Sequence, residues 1–207
     1  VICKKFKLPK FLDGTDKVPD NMRSVMNSNR TITTLPYTRE EVLTVSDKFG
    51  HHSKPLLNHQ AKKEAFILEI ISYNIVMVST HGYYHRKSPK LSGLIFYPVK
   101  AKEADEFNPV TQIDPYFLFT GETYNLPLKD TSLVILSCCE TALGELKRGE
   151  GIIGLSRGFL YSGSSSVACS LWKVHDKKTA EFWKEFFRLY EEEREQNYAV
   201  LLQKAKL

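Results

Sequence analysis

The chain is poor in cysteine, with four in 207 residues, at positions 3, 138, 139 and 169. None makes a C-x-x-C pair, so a zinc site built on cysteines is not expected. Two of the four are neighbours, and adjacent cysteines bridge each other only with strain. Free thiols and a reducing, cytoplasmic compartment are the expectation. Long apolar runs are also missing. Stretches such as IVMV (75–78) and LVIL (133–136) fall far short of the roughly 20 residues that span a bilayer, so no membrane partner is expected. No signal-peptide pattern and no initial methionine are present, and the chain reads as an excised domain or processed fragment. An excess of one charge is lacking too. The 29 Lys and Arg against 24 Asp and Glu leave a net charge of +5, and the basic residues are scattered rather than clustered with aromatics. This disfavours nucleic acid as a partner and points to a solvated, slightly basic surface. No internal repeat is found.

What is present is an ordinary globular balance, 42% hydrophobic and 26% charged. It suffices for one domain with a sizeable core, or a domain with a small appendage. VICKKFKL at the start reads as a strand, and PKFLDGTDKVPDNM, rich in Pro, Asp and Gly, as loop. Val42, Val45 and Phe49 recur at helical spacing, with Gly50 as a stop. SKPLLN suggests a short strand. HQAKKEAFILEIIS predicts an amphipathic helix with Ala65, Leu68 and Ile71 on one face and Phe66 and Ile70 beside it. Ile75–Val78 and Leu133–Leu136 are apolar without alternation, the mark of strands buried on both faces. Between them, residues 83–119 read as an irregular excursion with one short strand at GLIFYPV, and TGETYNLP as a helical turn. IIGLSRGFLYSG predicts a helix closed by Gly163, SSSVACSLWKV a third strand, and DKKTAEFWKEFFRLYEEE and EREQNYAVLLQKAKL two final helices. Strands separated by helices indicate an α/β fold with a largely parallel sheet.

Ligands of open parallel sheets bind beyond the carboxyl ends of the strands. The first buried run delivers His81 to that edge, and the second delivers Cys138 and Cys139 to the same edge. A histidine beside a thiol can take its proton or stabilise the thiolate, which is the nucleophile. The backbone amides of Gly82 and of the cysteine, read as lying past their strand ends, would be free to face a developing oxyanion. The pattern is generic when taken alone, since a lone histidine is often structural and a buried cysteine is a common small core residue.

Several blocks in order make it specific. THG at Thr80–Gly82, LSCCET at Leu136–Thr141, GEG at Gly149–Gly151 and SLWKVHD at Ser170–Asp176 resemble the CHAT-domain family, caspase-like cysteine peptidases related to separase. The resemblance covers about residues 36–207 and leaves 1–35 as a lead-in segment. It implies a caspase-like three-layer sandwich with a mostly parallel central sheet flanked by helices. It also implies a cysteine endopeptidase acting on a protein or peptide substrate, with no cofactor and no metal. The family's nucleophile precedes Glu-Thr and falls on Cys139, with His81 as its partner and the amides of Gly82 and Cys139 as the oxyanion hole. Cys138 takes a place where the family usually has alanine, and reads as a packing neighbour. His85 competes with His81, but nothing fixes it in its loop. His51, His52 and His59 read as surface residues, and His175 stays open.

The resemblance further implies that substrate backbone pairs along CSLWKV, with Ser170 and Trp172 lining the groove. Plain core packing is the alternative for Trp172. Asp176 matches an acidic residue that recognises a basic P1 side chain in separase-like enzymes. It is equally well placed to cap the helix that follows. Glu140 is left unplaced, with Arg148 and Arg157 as candidate partners, and Glu150 reads as a helix-start anchor. Such domains commonly end longer chains, which implies a sensor or repeat region or an activating partner outside this segment. The family usually continues past the last helix, whereas this chain stops at QKAKL. A catalytically silent scaffold of the same fold is the alternative function.

Overall fold

The structure is a computed structural model that describes residues 37–83, 89–97, 117–139, 150–170, 176–193 and 197–206. The N-terminal strand reading, His85, Glu140, Arg148, Trp172 and His175 lie outside the described residues.

Among the described residues a five-stranded sheet, in the order β3-β2-β1-β4-β5, forms the centre. Its strands are β1 (Ile75–Tyr83), β2 (Gly93–Ile95), β3 (Phe117–Phe119), β4 (Leu133–Cys139) and β5 (Val167–Cys169). β1, β4 and β5 run parallel, and β2 and β3 extend the sheet by antiparallel pairing. The two continuous apolar runs are thus the central strands, where burial on both faces removes any alternation. β3, in the segment read as irregular, is three residues long and exists through its pairing with β2. There Gly93 is obligatory, because a Cβ at that position would lie 2.1 Å from the Leu118 carbonyl oxygen.

Helices cover both faces, as the caspase-like sandwich requires. On one side α2 (Lys63–Ile70) and α4 (Glu150–Tyr161) pack Phe66, Ile70, Leu155 and Phe159 against Val76, Val78, Val134, Leu136 and Cys138. On the other, α5 (Asp176–Glu192) and α6 (Tyr198–Lys204) pack Trp183, Phe186, Phe187 and Leu201 against Leu133 and Ile135. Val45 and Phe49 of α1 (Thr38–Phe49) join this second core. A four-residue helix, α3 (Thr120–Thr123), follows β3. Among the described residues no helix is long and apolar enough to cross a membrane.

A local signal explains the end of α4. Gly163, at φ 116°, follows α4 with Ser164 N–H bonded to the Phe159 carbonyl and Gly163 N–H to that of Leu160. This is the Schellman pattern, in which a residue free to adopt the left-handed conformation lets the chain satisfy the last carbonyls. Two expectations are corrected. SKPLLN forms no strand beyond a single bridge at Leu57. The apolar residues read along this helix do not all face inward: Leu68, and Ile71 just past the end of α2, are exposed, while Phe66, Ile70 and Lys63 are buried. The helix has eight residues, and apolar side chains surround most of it, so its period does not select a face. The buried Lys63 ammonium pairs with Glu122 of α3 at 2.6 Å.

Candidate active site

β1 and β4 are neighbours in parallel register, so equal steps along the two strands stay side by side. Ile75 faces Leu133, Met77 faces Ile135, Ser79 faces Ser137, and the last rung is His81 with Cys139. The pleat assigns alternate rungs to opposite sheet faces. Val78, Leu136 and Cys138 belong to the core under α2 and α4. Ile135 packs toward α5, and the Ser79 and Ser137 hydroxyls bond to α1. His81 and Cys139 therefore take the next rung on the α1 face, at the carboxyl ends of two parallel strands.

The histidine is buried, with 2% of its surface exposed. Cys138 is buried among Val78 and Leu136, with its Sγ 3.9 Å from the Val78 carbonyl oxygen. This matches its reading as a packing neighbour. His51, His52 and His59 sit exposed in two short 3-10 turns, as expected of surface residues.

The strand ends lie further along the chain than the sequence suggests. Gly82 is inside β1, opposite Leu94 of β2, and Cys139 is the last residue of β4. The antiparallel pairing of β2 carries β1 through to Tyr83. Gly82, one residue short of the end of β1, and Cys139, the last residue of β4, are thus sheet positions, which corrects the reading that both amides lie past their strand ends. Ser170 follows β5 directly, and its Oγ lies 3.5 Å from the Cys138 carbonyl oxygen, beside the end of β4. Asp176 is the first residue of α5. Trp172 falls in the segment between them that is not described.

One residue of this site was not anticipated. Glu41 of α1 is 4% exposed, and its carboxylate accepts hydrogen bonds from both serines of the rung beneath His81 and Cys139. Ser137 Oγ donates at 2.6 Å to one carboxylate oxygen, and Ser79 Oγ donates to the other. The available signal was a charge on the apolar stripe of a helix, since Glu41 sits beside Val42 and one turn before Val45. Among the described residues, no group of three or more His, Cys, Asp or Glu side chains is arranged to hold a metal ion.

Arranged this way, the sheet edge brings an imidazole and a thiol-bearing residue together on one face, with a buried carboxylate one rung beneath. Curated proteins offer no match to the chain. The model of the CHAT domain, a caspase-like peptidase-type family, matches residues 14–207. With residues 14–207 matched and a caspase-like sandwich formed by the described residues, this chain belongs to the CHAT-domain family.

Proposed function

We propose that the chain is a cysteine endopeptidase that cleaves a protein substrate through His81 and Cys139. The observation that carries this reading is their pairing as the last rung of two parallel strands, at the sheet edge where α/β folds bind ligands. His81 takes the Cys139 thiol proton, and the thiolate attacks the scissile carbonyl carbon, forming a C–S bond. The backbone amides of Gly82 and Cys139 stabilise the oxyanion. The imidazolium returns the proton to the leaving amine as the C–N bond breaks, leaving a thioester. Water, deprotonated by His81, then releases the acid product and restores the thiol.

Substrate backbone extends along the strand edge near Ser170 and Trp172, and Asp176 selects a basic P1 residue by a charge-assisted pair. An upstream sensor region or activating partner controls the enzyme, in a cytoplasmic setting where the thiol stays reduced. The near-complete burial of His81 supports this control, because a base that must reach substrate has to become accessible. The same burial is what favours the second reading, a silent scaffold acting as an interaction module.

A thiol-directed activity probe separates the two. Labelling of the activated full-length protein should vanish in Cys139→Ala and persist in Cys138→Ala. Absence of labelling at Cys139 overturns the peptidase reading and leaves the scaffold. Mass spectrometry of cleaved peptide libraries should show cuts after Arg or Lys; cuts mainly after apolar or acidic residues would remove the specificity role from Asp176.

A further inference from the structure

We infer that Glu41 is a positioning residue for this site: its buried carboxylate ties α1 to β1 and β4 one rung beneath His81 and favours the charged form of that histidine once it has taken a proton. The inference rests on the peptidase reading above. Three observations carry it. Glu41 is buried, although a carboxylate is among the side chains least tolerated inside a protein without compensating bonds. It receives one hydroxyl hydrogen bond on each oxygen, from Ser79 and Ser137, an arrangement that suits the charged form. And those two serines are register partners, directly before the His81–Cys139 rung on the same face.

One rung on a single face is two residues of strand, a rise of about 7 Å. Burial of His81 disfavours its charged form, and the Glu41 carboxylate on the lower rung opposes that; at a separation of about 7 Å and an effective dielectric of roughly 30 its contribution is about one pH unit. Among the buried described residues, the other elements packed on this face bring no second carboxylate. Among the buried described residues, α5 and α6 contribute the apolar Trp183, Phe186, Phe187 and Leu201. Thr38 of α1 is buried but uncharged. Lys48, near the other end of α1, is engaged with Glu191 at 2.9 Å. Among the buried described residues, then, Glu41 is the carboxylate on the face that holds His81. The two serines also give α1 a bond to each central strand, so the helix fixes their relative position at the rung where it matters.

The test is an NMR titration of the His81 ring in the whole chain, in the wild type and in Glu41→Gln. The amide keeps the size and can still accept a serine hydrogen bond, but it lacks the charge. The His81 midpoint is expected to fall by about one pH unit, while a folded Glu41→Gln protein with an unchanged midpoint overturns the inference. A measurement on the wild type guards against a variant that fails to fold. With carbon-13-labelled glutamate, Glu41 should be deprotonated at pH 7, and a protonated Glu41 at that pH also overturns the inference. Failure here is distinct from failure of the peptidase reading, since that reading is sunk by the absence of Cys139 labelling, whatever His81 does.

Discussion

The two faces of the central sheet are built from the same two strands, yet they end differently: one carries a single polar residue, Thr80, in its last rung, and the other two full polar rungs. Under α2 and α4 the positions Val76, Val78, Val134, Leu136 and Cys138 stay in an apolar core up to the penultimate residue of β4. Under α1 and α5 the column begins equally apolar, with Ile75, Met77, Leu133 and Ile135, then turns polar for two rungs. The first of these is Ser79 with Ser137, bonded to Glu41. The second is His81 with Cys139. A charge is buried under the first face too, but there Lys63 pairs with Glu122 and links helix α2 to helix α3. The lesson is that a single sheet divides labour by the pleat. One face stays apolar apart from Thr80, whose hydroxyl donates to the Ile95 carbonyl within the sheet, and the other gives up its last two rungs to polar groups.

That division predicts where substitutions hurt. In the apolar part the faces should be equivalent. Phe159→Ala on one and Phe186→Ala on the other, both fully buried, should each cost about 3–5 kcal/mol in chemical denaturation. A cost at Phe186 under about 1 kcal/mol would mean that the α5 layer is not part of the cooperative core. At the polar rung the faces should part. Ser137→Ala removes a hydroxyl from a buried carboxylate and should cost about 1.5–3 kcal/mol. Its neighbour Cys138→Ala, on the apolar face, should cost about 1 kcal/mol. Equal costs would erase the distinction drawn here. The smallest effect belongs to the outward side of α2. Leu68→Ala, 65% exposed, should change the unfolding midpoint by less than about 0.5 kcal/mol equivalent.

The same contrast explains what the sequence discloses. Ile75–Val78 and Leu133–Leu136 are readable because a strand buried on both sides has no polar positions to confuse the pattern. Their parallel register is what joins His81 to Cys139, and the order of motifs, not the local pattern alone, pointed to both. β3 was missed because three residues carry no period, and its stability comes from a partner over twenty residues away in the chain. The buried face of α2 is not legible because Ala65, Phe66, Ile67, Leu68 and Ile70 leave too few polar markers in eight helical residues. Glu41 escaped for the opposite reason. A lone charge beside Val42 looks like a solvated flank, and the serines that justify its burial lie 38 and 96 positions away. Such pairings are tertiary facts, invisible to any window along the chain.

The central claim is that His81 and Cys139 work as one unit at the end of β1 and β4. The most direct measurement is the pH dependence of Cys139 alkylation by a small thiol reagent, followed by mass spectrometry in the wild type and in His81→Ala. The account predicts a wild-type midpoint at least about one pH unit below the ordinary thiol value of about 8.5, returning to that value in His81→Ala. A wild-type midpoint near the ordinary value, unmoved by loss of His81, would contradict it.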